Sequence, residues 1–360
     1  MSEITRIGVD LAKNVIQVHA VDSAGKLVTN RQLSRDKFLS WCAQLPSGCV
    51  VAMEACGGSH HWARKLIGLG VGLNVKIIAG HFVAPYRLQG KGGKNDANDA
   101  AAICEAASRP NMRFVPVKTT VQQGILCVHR LRQGFKEERT GCINRIRGML
   151  GEFGLISSKS PEKLREKLIP MLEDASNDLT GLARLAIQEA YHQWNHLDTR
   201  IQWCDQRIEA HVKDDAAAKA AKELVGVGSI TASAVVATVG DFNKFKNGAQ
   251  FGAWLGLTPR QNSSGGKSRL GRITKRGDMY LRMLLIQGAK SAVMTAHMRS
   301  DPISKWLCQL REKSGWQKAC VAMANKNARI LWAMMTKGAH FNPHHVSVMP
   351  GRPVEPVAVA

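Results

Sequence analysis

The sequence lacks the features that mark secreted, membrane-bound and zinc-binding proteins. None of its nine cysteines forms a CxxC pair, and their number is odd, so we expect neither a zinc cluster nor a disulfide scaffold. No apolar run reaches about 18 residues, which argues against attachment to a membrane. The first residues, MSEITRIGVD, lack the charged-then-apolar layout of a signal peptide. We therefore expect a cytoplasmic protein with reduced thiols.

Acidic residues are scarce relative to basic ones. The chain has 50 Lys and Arg against 28 Asp and Glu, which gives a formal net charge of +22 and a pI near 9.9. Such an excess favours a polyanionic partner, and nucleic acid is the leading candidate. With 360 residues, 44% of them hydrophobic, the chain can form two or three domains with buried cores.

Short apolar strands alternate with helical stretches over the first hundred residues. The pattern predicts a hairpin of residues 7–10 and 15–21, a strand at 26–33, a helix at 38–45, a strand at 49–55, a helix at 61–69, a strand at 75–79 and a helix at 95–107. The order βββαβαβα is typical of an RNase H-like α/β fold.

The remainder of the chain is predicted to be mainly helical. Apolar residues recur at three- and four-residue steps in one long amphipathic helix: Trp194, Leu197, Ile201, Cys204, Ile208 and Val212. This seam fits either a bundle core or a coiled coil that joins protomers. Residues 222–340 form a second compact region, and the proline-containing tail is expected to be disordered. We place the domain boundaries at 1–118, 119–221, 222–341 and 342–360.

Four carboxylates have the spacing of a metal site. Asp10 and Glu54 end two apolar strands, and Asp96 and Asp99 share one face at the start of a helix. Converging carboxylates repel one another unless a cation compensates them, and their hard oxygens suit Mg²⁺ or Mn²⁺. Taken singly, Asp96 could be a helix cap, Asp99 a solvated first-turn acid and Asp10 a turn residue.

A glycine-flanked serine lies in a basic loop of the distal half. Ser264 precedes Gly265 and Gly266, and such glycines let a phosphate approach the backbone closely. No histidine neighbours the serine in sequence, so its activation would have to come from elsewhere, for example from bound metal. A flexible polar loop without chemistry is the alternative. The basic residues around it are Arg260, Lys267, Arg269, Arg272, Lys275, Arg276 and Arg282.

A second basic stretch covers residues 130–147. Arg132, Lys136, Arg139 and Arg145 alternate there with helical apolar positions. This stretch could hold RNA or form a solvated helix face. The Gly226 and Gly228 pair before residues 229–232 could expose backbone amides to a DNA phosphate.

Several motifs resemble those of the DEDD transposases, the insertion-sequence enzymes also described as bridge-RNA-guided recombinases. The similar segments are GVDLAK (8–13), MEACGG (53–58), KNDANDA (94–100), LVGVGSITA (224–232) and FGAWLGLTPRQNSSGGKSRLGRITKRGDMYLRMLLIQGA (251–289). The resemblance implies a RuvC-like N-terminal domain with Asp10, Glu54, Asp96 and Asp99 as metal ligands. It also implies a mainly α C-terminal transposase domain with a helix-hairpin-helix-like segment and a serine that becomes linked to DNA. That serine maps onto Ser264, with Ser263 beside it.

The resemblance also implies the partners. They are donor and target DNA, a structured non-coding guide RNA, and further copies of the chain in a dimer to tetramer whose sites combine carboxylates and serine from different protomers. The nucleic-acid contacts expected are Lys13, Lys94, Arg260, Lys267, Arg269, Arg272, Lys275 and Arg276. The DNA target cannot be read from the sequence, because base pairing with RNA would carry that information. Two alternatives remain open: a RuvC-like junction resolvase that uses water, and a non-catalytic nucleic-acid-binding protein.

Overall fold

The computed structural model describes residues 3–88, 95–262, 267 and 269–343. These residues belong to two compact units, Met1–Gln122 and Gln123–Ala360. No helix in the described ranges is both long enough and apolar enough to cross a membrane.

The first unit is a mixed five-stranded sheet with helices. Its elements are β1 (Arg6–Leu11), β2 (Val15–Val21), β3 (Leu27–Ser34), α1 (Arg35–Cys42), β4 (Val50–Glu54), α2 (Ser59–Ile67), β5 (Asn74–Ile78), α3 (Gly80–Val83), a 3-10 turn (Ala84–Tyr86) and α4 (Asp96–Ala107). The strand order is β3-β2-β1-β4-β5. The first three strands are antiparallel, whereas β4 and β5 run parallel to β1. The mixed α/β architecture predicted for the N-terminal region is confirmed.

The central strands are buried on both faces of the sheet. Ile7 and Val9 pack into one core together with Phe38 and Trp62, whose rings meet edge to face at 5.3 Å. On the other face, β1 contacts the backbone of α4 at Gly8. A Cβ atom at this position would lie 2.0 Å from the carbonyl oxygen of Ala100. Only glycine therefore allows α4 to pack this closely on β1.

The second unit is mostly helical, as the sequence predicted. It contains α5 (Thr120–Gly151), α6 (Pro161–Glu173), α7 (Gly181–Asp214), α8 (Ala216–Ala221), α9 (Ser229–Val239), a 3-10 turn (Phe242–Lys244), α10 (Gly248–Trp254), β6 (Pro259–Gln261), β7 (Leu270–Ile273), α11 (Met279–Thr295), a 3-10 turn (Ala296–Met298), α12 (Pro302–Ser314) and α13 (Trp316–Lys337). Strands β6 and β7 form an antiparallel hairpin.

Helices α5 and α7 run antiparallel, and they bury the predicted apolar seam within the same chain. Two ion pairs, Arg132 with Asp205 and Arg139 with Asp198, align the helices. Of the seam residues, Trp194, Leu197, Cys204, Ile208 and Val212 are buried, and Ile201 is half-buried. Trp194 and Leu197 share a core with residues of α5 and α6. These residues therefore serve as a bundle core within the protomer.

A buried polar group, which we call the histidine cluster, joins four helices of this unit. His129 on α5 is 1% exposed. Its Nδ1 lies 3.1 Å from the hydroxyl of Tyr280, and its Nε2 lies 3.0 Å from the hydroxyl of Ser233. The same Ser233 hydroxyl lies 3.2 Å from Nδ1 of His211. Both nitrogens of His129 thus have partners, as a buried neutral imidazole requires.

Candidate metal centre and nucleic-acid interface

Two acidic side chains lie at the same edge of the first unit's sheet. Strands β1 and β4 are parallel neighbours, and Val9 is paired with Met53. The next residue on each strand is Asp10 or Glu54, so both carboxylates emerge at the carboxyl ends of adjacent strands. Edges of this kind are where parallel sheets commonly present functional groups.

Helix α4 adds two more acids to this edge. Its N-cap is Asn95, whose side chain accepts a hydrogen bond from the backbone N–H of Asn98 at 2.8 Å. The alternative in which Asp96 caps the helix is therefore wrong, and both Asp96 and Asp99 belong to its first turn. The close contact of α4 with β1 at Gly8 holds this turn beside Asp10. We call Asp10, Glu54, Asp96 and Asp99 the carboxylate cluster.

The electrostatics of Asp10 show how close these acids are. Burial and, after it, the negative charges of Asp99, Asp96 and Glu54 together raise the pKa of the Asp10 carboxyl from 3.8 to about 6. A carboxylate surrounded by like charges gains from a proton or a cation. The cluster therefore carries more negative charge than its own surroundings compensate.

One arginine that the sequence analysis missed reaches into the cluster. Arg87 follows the 3-10 turn, and its Nη2 donates to Oε2 of Glu54 at 2.6 Å. Its Nε lies 2.9 Å from Oδ1 of Asp99, an ion-pair contact that lacks the geometry of a hydrogen bond. The positive charge of Arg87 lowers the pKa of Asp10, against the effect of the acids. An isolated arginine outside any motif gives no sequence signal, so only the fold reveals this contact.

The donor set fits a hard divalent cation by its chemistry. All four side chains supply carboxylate oxygens, the ligands that Mg²⁺ and Mn²⁺ prefer. Within the described part of the chain, however, no three His, Cys, Asp or Glu side chains are arranged as a ready metal-binding group. The acids interact through their charges while Arg87 ties Glu54 to Asp99. The composition of the cluster thus suits a metal, but its present arrangement is set by an arginine.

The β6–β7 hairpin presents the basic residues of the second unit. Six basic residues of this region were predicted to contact nucleic acid, and the side chains of all six are exposed: Arg260, Lys267, Arg269, Arg272, Lys275 and Arg276. Lys13 is exposed in the first unit. Lys94, Ser263 and Ser264 lie outside the described residues. The exposed guanidinium and ammonium groups can contact phosphates without reading base sequence.

Arg282, which the sequence analysis grouped with these basic residues, has a different role. It is 8% exposed, and its Nη1 donates to the carbonyl oxygens of Leu255 at 2.9 Å and of Arg276 at 3.1 Å. The base of the hairpin is also held by Gly277, where a Cβ atom would lie 1.8 Å from the carbonyl oxygen of Trp254. Arg282 therefore stabilises the hairpin from inside and cannot bind a phosphate in this conformation.

The basic stretch on α5 is only partly open. Arg132 is buried in its ion pair with Asp205, and Arg139 pairs with Asp198. Lys136 and Arg145 remain exposed. Half of the arginine and lysine side chains singled out there thus hold α5 against α7, a role that neither interpretation of the sequence had assigned.

Two models of known protein families match this chain, one over the carboxylate cluster and one over the β6–β7 hairpin. Residues 7–154 match a family model for DEDD transposases of the IS110 type. Residues 218–302 match a family model described as transposase of the IS116/IS110/IS902 family. The first match includes all four acids of the carboxylate cluster, and the second includes the basic hairpin.

Relatives cover nearly the whole chain. A probable family 20 transposase of Pseudomonas aeruginosa is 45% identical over 94% of this chain and 99% of its own length. The transposase for insertion sequence element IS1111A of Coxiella burnetii is 40% identical over 94% of this chain and 91% of its own. The transposase for insertion sequence element IS1328 of Yersinia enterocolitica is 35% identical over 95% of this chain and 100% of its own.

Proposed function

The chain belongs to the IS110/IS116 family of DEDD insertion-sequence transposases, which cut and rejoin DNA, and from this premise we propose its chemistry. Asp10, Glu54, Asp96 and Asp99 bind a divalent metal, Mg²⁺ or Mn²⁺, and Ser264 attacks the DNA phosphate. The observation that carries the proposal is the gathering of acids from β1, β4 and α4 at one sheet edge, where the pKa of Asp10 rises to about 6.

The chain's own residues supply the positioning. The sheet fixes Asp10 and Glu54 on neighbouring strands, and the Gly8 contact fixes the first turn of α4. Divalent ions bound by such carboxylates stabilise charge on the attacking and leaving oxygens of phosphoryl transfer. We assign this chemistry to residues 1–118 and the serine chemistry to residues 222–341, with residues 119–221 between them.

The serine step forms one bond and breaks another. The Oγ of Ser264 attacks phosphorus, loses its proton, and displaces a DNA oxygen that leaves as a hydroxyl, so that a phosphoserine remains. A DNA hydroxyl then attacks the phosphoserine, which restores the serine and joins the strands. The exposed basic side chains of the β6–β7 hairpin support this assignment, because they flank residues 263–266 in the sequence and can hold a phosphate backbone.

Substitution of the serines tests this step. We expect Ser264→Ala to abolish covalent protein–DNA adducts, detected on denaturing gels with labelled element ends, and to abolish strand joining. Ser263→Ala is the matched control and should keep both. If Ser264→Ala still cleaves DNA but neither serine variant affects cleavage and no covalent adduct forms, water is the nucleophile and the protein acts as a RuvC-like resolvase. If Ser263→Ala loses the adduct and Ser264→Ala does not, the nucleophile is the neighbouring serine.

We further propose that a structured non-coding RNA guides the enzyme to donor and target DNA, and that it works as a dimer to tetramer with composite sites. The net charge of +22 supports the binding of RNA, because RNA is a polyanion. Sequencing the RNA that copurifies with the protein tests the proposal. An element-derived RNA with segments complementary to both DNA partners is expected, and recombination should stop after RNase treatment. Recombination by RNA-free protein would contradict it.

A further inference from the structure

Arg87 occupies the carboxylate cluster in a way that bears on metal binding. Its guanidinium contacts acids from two elements, Glu54 at the end of β4 and Asp99 in the first turn of α4. The side chain of Arg87 is 39% exposed, and those of Glu54 and Asp99 are 24% and 23% exposed. The three groups therefore form a partly shielded bridge. A planar guanidinium can face two carboxylates at once, which a lysine ammonium does less well.

The bridge also fixes the direction of the Glu54 carboxylate. Oε2 accepts the hydrogen bond from Arg87, while Oε1 lies so close to Gly80 that a Cβ atom there would be 2.4 Å away. Both oxygens of Glu54 thus have neighbours. An ion that binds Oε2 of Glu54 therefore competes with the guanidinium of Arg87 for this oxygen. This is consistent with the lack of a ready three-ligand group among the described residues.

We propose that Arg87 is a resident counter-cation of the carboxylate cluster, which holds Glu54 and Asp99 in the metal-free protein and must release them when a divalent ion binds. The inference rests on the proposed metal centre. A divalent ion offers twice the charge and direct coordination, and it displaces the guanidinium by competing for the same oxygens.

Arg87 is therefore a positioning residue that sets the metal affinity. While it occupies the cluster, it offsets part of the repulsion among the acids, and it makes the metal-free state more stable than the acids alone would allow. Metal binding has to overcome this stabilisation. Removing the guanidinium should leave the four carboxylates free for the ion, at the expense of the stability of the metal-free protein.

Calorimetric titration with Mn²⁺ tests this competition on the full-length protein. We expect Arg87→Gln to bind Mn²⁺ about tenfold more tightly than the wild type, because one competing positive charge has been removed. The same variant without metal should have a lower melting temperature, and its melting temperature should rise more on addition of Mn²⁺. Arg109→Gln is the matched control, since Arg109 lies over the ring of Tyr86 and pairs with Glu105, outside the cluster. Its Mn²⁺ affinity should equal that of the wild type.

Equal or weaker Mn²⁺ binding by Arg87→Gln would overturn the inference. Should this variant not fold, Arg87→Lys serves instead, and it should bind Mn²⁺ more tightly than the wild type because an ammonium bridges two carboxylates less well. If Arg87→Lys binds Mn²⁺ as tightly as the wild type or more weakly, the inference is likewise overturned. Asp10→Asn separates the two proposals: if it binds Mn²⁺ as the wild type does, the proposed metal centre itself fails.

Discussion

Each of the two units contains a partly or fully buried ionisable side chain, but the two side chains differ in how well their neighbours satisfy them. In the first unit, Asp10 is surrounded by three further acids, and its pKa is raised to about 6. In the second unit, His129 is enclosed by hydroxyl and imidazole groups, and burial together with nearby Arg132 lowers its pKa to about 4. The acid keeps unfavourable neighbours, whereas the histidine has a hydrogen-bond partner for each nitrogen.

The difference teaches how to tell a functional cluster from a structural one. The histidine cluster satisfies the polar atoms of His129 and so stabilises the packing of α5, α7, α9 and α11. The carboxylate cluster leaves its charge only partly offset by Arg87, and a fold tolerates such a cost where the charge serves chemistry. Stability and activity should therefore respond in opposite ways to substitutions in the two clusters.

The largest effect is expected for Asp10→Asn. If Asp10 is a metal ligand as we propose, its loss should reduce strand cleavage about a thousandfold, since bound metal supplies several kcal/mol of transition-state stabilisation. The metal-free variant should nevertheless be at least as stable as the wild type, because the repulsion at Asp10 is removed. Cleavage assays and thermal melts measure both. Asp36→Asn, an exposed acid of α1, is the control and should change neither. Wild-type cleavage by Asp10→Asn would show that the carboxylate cluster does not serve DNA cleavage.

His129→Ala should show the opposite behaviour. It leaves a cavity and removes a partner from Ser233 and Tyr280, so the free energy of unfolding should fall by about 3 kcal/mol. Urea unfolding measures this loss. Mn²⁺ binding to the first unit's acids should persist in the folded variant. His192→Ala on the exposed face of α7 should change stability by less than about 0.5 kcal/mol. An equally small effect of His129→Ala would show that the histidine cluster is dispensable.

Gly8→Ala separates geometry from charge in the carboxylate cluster. The added Cβ would meet backbone atoms of α4 at 2.0 Å and 2.5 Å, so α4 has to move away from β1. We expect a stability loss of about 2 kcal/mol, together with reduced cleavage although every acid is intact. Gly57→Ala, where the added atom meets open space, controls for the glycine change. Wild-type cleavage by Gly8→Ala would show that the position of α4 does not matter.

The smallest effect is the pH dependence of stability. The lowered pKa of His129 means that the unfolded state takes up more protons, so stability is lost as pH falls from 6.5 towards about 4. Between pH 6 and pH 5 this loss should be about 1 kcal/mol. The raised pKa of Asp10 acts with the opposite sign, and its contribution is lost as pH rises from 3.8 through about 6.

Urea unfolding of His129→Ala and Asp10→Asn across this pH range resolves the two contributions. The slope of stability against pH should become more negative in His129→Ala, which loses the positive contribution, and more positive in Asp10→Asn, which loses the negative one. Changes of the same sign in both variants would contradict the assignment of opposite shifts.

Local patterns were sufficient for much of the first unit. The alternation of apolar residues predicted the strands and helices, because their periods are set by backbone geometry. The spacing of Asp10, Glu54, Asp96 and Asp99 predicted the carboxylate cluster, because the ends of adjacent strands and the start of the next helix meet in this fold. The nature of the long helix seam stayed open, since an apolar stripe does not say whether its partner belongs to the same chain.

The sequence by itself determined the elements, the family motifs and the acids at strand ends, all of which depend on short-range periodicity and residue chemistry. Only the tertiary structure decided which cation reaches those acids, that Arg282 is internal, and that α5 covers the seam of α7. These contacts join side chains distant in the chain, such as Glu54 with Arg87 and Arg132 with Asp205. Their partners are chosen by packing, which local patterns do not encode.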